Sequence, residues 1–338
     1  MLNVRSILAL LSFVSLLPAF LTGCATTPQV ADQALIGKYV PPAPPAADET
    51  YVYAIRGSAF RGGGRGVWVA NNDKVVASLS NGSHALVKIK SGLNDVHLTQ
   101  GSAGFGFTTV DNRPGETVFL FFDYTTGKVK EVPKDIGITM VMSTTDMPAV
   151  TETRANPAYK FIVMNPGMLG FDMMQASDQR LKPTPDSAVI TFFRPAGLIK
   201  DVPFSIWSES AYLGDLKGDT YFQARVAPGH HTFMAKSERF SILKADVAAG
   251  KEYFAEFKVV RGWEMAHVKI LPLDATADAA AIDGYFKKLK PVAVDTALVQ
   301  GARLSPRIAA GVALVGEATT KAEAGEAASR ELTVAAGR

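Results

Sequence analysis

Tyr221-Phe222-Gln223-Ala224-Arg225-Val226, followed by the turn Ala227-Pro228-Gly229, decides the fold. Phe222, Ala224 and Val226 alternate with Tyr221, Gln223 and Arg225, and a period of two marks a strand with one buried face. The same alternation stands further upstream, where Ala85, Val87 and Ile89 interleave with His84, Leu86 and Lys88. Five landmarks pair at a nearly constant spacing: Arg56 with Arg194, Trp68 with Trp207, Leu79 with Leu216, Gly92 with Gly229, and Gly115 with Gly250. The small drift is what short loop insertions produce. Residues 51–146 and 187–274 therefore read as two copies of one module.

In the second copy, strand-like runs fall at 188–194, 204–208, 211–216, 221–226, 231–236, 241–247, 252–260 and 266–271, punctuated by proline and glycine turns. Many short strands with no alternating long helices argue for an all-β chain. The expected architecture is two tandem antiparallel β-sandwiches of an immunoglobulin- or transthyretin-like kind. Residues 24–50 hold Tyr39-Val-Pro-Pro-Ala-Pro-Pro-Ala and read as a proline-rich, extended tether. Residues 147–186 read as a methionine-rich insert and linker. Seven of the ten methionines fall between Met140 and Met174, and Asn165-Pro166-Gly167 forbids one continuous helix there. Residues 275–338 read as a short helix at 275–289 and a tail, loose or disordered from about 300.

Phe193-Arg194-Pro195, Leu213-Gly214-Asp215-Leu216-Lys217-Gly218 and Val226-Ala227-Pro228-Gly229-His230-His231 resemble a family of bacterial lipoprotein domains of unknown function, with a Pro-Gly turn before a strand. The resemblance covers one module at a time and implies a β-sandwich but no reaction. The first copy departs from it, with Gly57 after Arg56 and Ser91-Gly92 at the turn.

At the N-terminus, Arg5 and the apolar run Ile7–Phe20 form the pattern of an export signal, too short to span a bilayer comfortably. Leu21-Thr22-Gly23-Cys24 follows directly and resembles the lipobox of bacterial lipoproteins, whose cysteine is lipidated and becomes the mature N-terminus. Cys24 is the chain's single cysteine, and lipidation would consume a thiol otherwise left reactive in an oxidising space. An ordinary secretory signal or a short membrane anchor is the plainer alternative. Ala25 and Thr26 lack the aspartate that by resemblance retains such proteins at the inner membrane. The expected location is the periplasmic face of the outer membrane.

A formal net charge of +3 over 338 residues supplies no dense basic face, which argues against nucleic acid. No elbow, phosphate-loop or zinc-helix motif is present, so no cofactor or metal is expected. His230 and His231 are adjacent on a strand and point to opposite faces. Asp274, Asp278 and Asp283 miss the calcium-loop spacing and read as capping residues. Arg61-Gly-Gly-Gly-Arg65-Gly66 could cradle an anion through Arg61 and Arg65; a soluble loop is the plainer reading. Phe119 and Phe121 face outward on their strand. They are expected either to lie under the 158–174 insert or to form an exposed partner surface. The expected role is an envelope binding module for a protein or glycan partner, with an envelope-polymer hydrolase or an anion-binding protein as the alternatives.

Overall fold

The computed structural model describes residues 30–58, 64–101, 103–124, 126–262, 266–324 and 328–338; the signal segment, Cys24 and Arg61 lie outside them. Strands β1 (Glu49–Arg56), β2 (Val67–Asn71), β3 (Lys74–Leu79), β4 (Ser83–Lys90), β5 (Asp95–Gln100), β6 (Ala103–Thr109), β7 (Thr117–Asp123) and β8 (Lys128–Glu131) build the first repeat. Then come β9 (Thr145–Asp146), β10 (Ala149–Ala155) and β11 (Met174–Ala176). The second repeat comprises β12 (Ala188–Arg194), β13 (Phe204–Ser208), β14 (Tyr212–Leu216), β15 (Thr220–Val226), β16 (Gly229–Lys236), β17 (Phe240–Val247), β18 (Glu252–Arg261) and β19 (Ala266–Leu273), before β20 (Lys290–Val294) and β21 (Ser329–Leu332). The helices are α1 (Gln33–Ile36), α2 (Lys134–Met142), α3 (Tyr159–Val163), α4 (Ala279–Lys288), α5 (Thr296–Val299) and α6 (Ser305–Glu323).

The chain is mostly β, in four sheets, with a long C-terminal helix. Strand order repeats. The first sheet runs β8-β7-β1-β4-β9 and the third contains β19-β18-β12-β15; the second contains β3-β2-β5-β6 and the fourth β14-β13-β16-β17. The sheets are mixed rather than purely antiparallel, because β7 runs parallel to β1 and β18 parallel to β12. Each of these pairs closes only after the chain has built the neighbouring sheet, the crossover that parallel pairing requires.

Matched landmarks carry matched geometry. Gly115 and Gly250 sit at φ 77° and 76°, and Gly92 and Gly229 at 139° and 131°, values that favour glycine. Gly115 N–H donates to Glu49 O and Gly250 N–H to Ser187 O, closing the same turn twice.

Two compact units emerge: residues up to Val67 with Ala77–Lys90 and Pro114–Thr151, and Trp68–Val76 with Ser91–Arg113 and Glu152–Arg338. In the first, α2 covers the outer face of its sheet. Phe119 and Phe121 are 3% and 7% exposed, packed with Tyr53, Ile55, Ile138, Met140 and Val141. The expectation for these phenylalanines is therefore corrected in both its forms: they are covered, and not by 158–174. Gly137 makes that seating possible, since a Cβ there would lie 2.2 Å from the Phe119 ring. The tether segment docks as well, with Asp32 N–H donating to Thr139 Oγ1 at 2.9 Å and Ile36 and Tyr39 packing on the same cluster.

In the second unit, Ile190, Phe192, Phe222, Tyr253 and Phe257 face Phe204, Ile206, Phe233 and Leu243 across one core. Helix α4 packs Ile282, Tyr285 and Phe286 over Phe193, Tyr221 and Phe254, closing that face of β18. The described part of the tail is ordered rather than loose. Val315, Ala318 and Ala322 of α6 cover Trp207, Met234 and Ile242, and β21 extends the fourth sheet beside β17. Its alanines and glycines are a close-packing face: a Cβ on Gly311 would stand 2.2 Å from the Trp207 ring.

Candidate functional site

The methionine-rich insert is the pivot of the second unit. Asn156 Nδ2 donates to Asn72 O at 2.7 Å and lies 3.2 Å from His97 Nε2. Burial pushes the His97 imidazole down to about 4, so the ring is neutral and accepts. Further on, Asn165 donates to Phe161 O and Lys236 O and accepts from Ser205 N–H, while Trp207 Nε1 donates to Met164 O at 2.9 Å. The insert thus joins β5 and β6 to β13 and β16.

A cleft of about 410 Å³ opens beside it, lined by Asp73, Asp95, Tyr159, Ile162, Leu169 and Arg307 among others. The hairpin turn places Asp73. Asn72, at φ 50°, accepts from Asp95 N–H and donates to Leu93 O, which pins the turn to the start of β5. Arg307 comes from the first turn of α6. Its guanidinium makes five hydrogen bonds: two to Asp95 Oδ1, two to the Asp111 carboxylate, and one to Arg303 O. Arg303 adds Asp111 Oδ2 at 3.2 Å and Thr109 Oγ1 at 2.7 Å. Burial pushes the Asp95 carboxyl up despite Arg307. At Asp111 burial also pushes upward, but the bonds from Arg307, Asn94 N–H and Arg303 together hold it below the usual range. By contrast, Asp73 is exposed: its carbonyl accepts from Asn156 N–H at 2.7 Å, but its carboxylate has no hydrogen-bond or ion-pair partner among the described residues. Burial raises the nearby Tyr159 phenol, with the charges of Asp73 and Asp95 adding to it.

A smaller cavity of about 190 Å³ reaches Asp215, together with Asp172, Met174 and Lys217. Asp215 accepts from Ser205 Oγ at 2.5 Å, and burial pushes its carboxyl up to about 6. Gly167 must be glycine here, since its Cβ position falls 1.9 Å from Asp215 Oδ2.

No known protein family matches this chain, and no curated protein is similar to it.

Of the residues singled out from sequence, Arg65 contributes its backbone: its carbonyl accepts from Arg56 Nη1 at 2.6 Å. Arg56 and Arg194, both fully buried, do the same job in the two repeats. Arg56 donates to Leu79 O, and Arg194 to Leu216 O, Val202 O and Ile199 O. Two of the sequence landmarks are thus partners of one another. Burial brings Arg194 down to about 10, only partly offset by the charges of Asp201 and Asp215. His230 pairs with Asp246 at 2.9 Å and His231 with Glu209 at 3.0 Å. No cluster among the described residues is placed to hold a metal ion. Asp274 accepts from Thr276 and Ala277 N–H, a turn cap. Ser237 Oγ lies 3.2 Å from His267 Nδ1, a nucleophile–base spacing, but the serine is fully buried and accepts from Val268 N–H. The cleft residues Asp73, Asp95, Tyr159 and Arg307 carried no sequence signal, for they lie far apart in the chain and match no local motif.

Proposed function

We propose that this chain is a lipid-anchored protein of the outer membrane's periplasmic face, built on two tandem β-sandwich modules, and that it works by binding an envelope protein or glycan rather than by catalysis. The observation that carries the binding reading is the 410 Å³ cleft. Its wall combines the Asp73 carboxylate, unpartnered among the described residues, with Tyr159 and the apolar Ile162 and Leu169, while Arg307 is locked into its carboxylates beside them. A few placed polar groups on an apolar floor suit recognition of a polar ligand with one apolar face. The repeated strand order and the paired glycine geometry support the tandem-module reading. A photo-crosslinking residue at Asp73, in intact cells, should give one discrete adduct. Tyr159→Ala should reduce its yield several-fold. Equal yield from that variant would remove the cleft as the binding surface.

The hydrolase alternative draws on Asp215, a carboxyl held partly protonated near neutral pH beside a cavity. Asp215→Asn would abolish turnover of an envelope polymer under that reading and leave crosslinking at Asp73 unchanged under ours. The lipid reading is tested at Cys24: Cys24→Ala should lose labelling by a clickable fatty acid.

A further inference from the structure

A lipidated Cys24 has a consequence for which side of the first unit meets the membrane, and this inference rests on that reading. As an extended spacer, residues 25–50 would lift the domains roughly 80 Å from the lipid. The chain instead docks at Asp32, whose N–H donates to Thr139 Oγ1 and whose carboxylate caps α1 against α2. Tyr39 OH then meets Tyr53 OH at 3.0 Å. Asp32 is eight residues beyond Cys24, and eight residues span at most about 29 Å. A compact body of roughly 100 residues has a radius of gyration near 13 Å and a diameter of roughly 34 Å. The free leash is therefore shorter than the unit is wide. A body tied so closely at one face cannot turn the opposite face to the bilayer.

We infer that the α1–α2 face of the first unit lies against the phospholipid headgroups of the membrane that holds the anchor. Side-chain exposure points the same way. Among the described residues eight large apolar side chains are exposed, and three belong to the docked segment and to α2: Val30 at 79%, Val40 at 85% and Met142 at 36%. Val30 and Val40 flank the docked segment, and Met142 lies one helical turn beyond Thr139, on the same side of α2. Exposed apolar residues concentrated where a leash enters suit shallow insertion among headgroups.

The test uses the full lipidated chain on phospholipid vesicles, with a nitroxide on a cysteine introduced by Val40→Cys or by Met142→Cys. Cys24 is blocked by its lipid, and neither exposed position contributes to the core. Relative accessibility to oxygen over a water-soluble nickel chelate should rise several-fold against the same labelled chains carrying Cys24→Ala in solution. Mass spectrometry of the N-terminal peptide reports the lipid independently. Lipid present with unchanged accessibility at both positions would overturn the inference while sparing the anchor. Absence of lipid from the N-terminal peptide would overturn both.

Discussion

Replacing Arg307 with alanine isolates what holds α6 in place. The guanidinium is 5% exposed and uses all five of its N–H groups, while the side chains of its partners Asp95 and Asp111 are 14% and 5% exposed. Removing one partner of a buried ion pair strands the other and costs about 3–5 kcal/mol. Here it strands Asp95 and leaves Asp111, still held by Arg303 and Asn94 N–H, close enough to repel it. Without the guanidinium, both carboxyls should bind protons more tightly when folded than when unfolded, where aspartate titrates near 3.9. A carboxyl raised in the folded state favours folding as pH falls through that raised value. The loss measured at pH 7 should therefore shrink at pH 5. Urea unfolding of both proteins at the two pH values measures this, with hydrogen exchange along 305–323 reporting release of the helix. Asp95→Asn with Asp111→Asn in the alanine background should recover part of the loss. A cost under about 1 kcal/mol, or the same cost at both pH values, would refute the argument.

Asp215→Asn should alter the pH profile in the opposite sense. Its folded carboxyl stands at about 6 against an ordinary 3.8, so the wild type gains on the asparagine variant as pH falls from about 6 to 4, by about 3 kcal/mol in all; a flat difference in urea unfolding would count against it. Gly311→Ala gains helix propensity yet drives a methyl into the Trp207 ring, and should cost about 1–3 kcal/mol net. A thermal shift upward would show that α6 has room there. Arg194→Lys cannot reach the Leu216, Val202 and Ile199 carbonyls at once with a single ammonium, so its unfolding midpoint should drop; Arg56→Lys should lower the midpoint too, because it loses the fork that reaches the Leu79 and Arg65 carbonyls.

The strands of the second repeat were legible because alternation and turn residues act locally: 188–194, 204–208 and 252–260 need only neighbours to declare a face. Helix α2 was not, for Lys-Asp-Ile-Gly-Ile-Thr-Met-Val-Met carries β-branched residues and a glycine that propensity assigns elsewhere. What makes it a helix is the sheet face holding Phe119, which lies against Gly137. The same limit hid α6, whose glycine and alanine content signals looseness in a string and close approach in a packed body. Arg56 and Leu79 stood out as repeat landmarks, but their hydrogen bond bridges 23 positions and has no periodicity to betray it. The cleft was least visible of all, since Asp95 and Arg307 are 212 residues apart.

That separation sets a timetable for folding. A chain synthesised from its N-terminus delivers β5 long before α6, so Asp95 and Asp111 wait without Arg307 until nearly the whole sequence has emerged. The insert that joins the sheets through Asn156 and Trp207 is also delivered before β13 exists to receive it. Contacts so distant in sequence are slow to form, because the loop must close before any reward arrives. The repeats look modular on paper, yet the second unit contains strands β5 and β6 of the first repeat and completes itself with the last helix. Its maturation is governed by the arrival of the C-terminus, and a nascent chain stalled before Arg307 would present an unfinished surface.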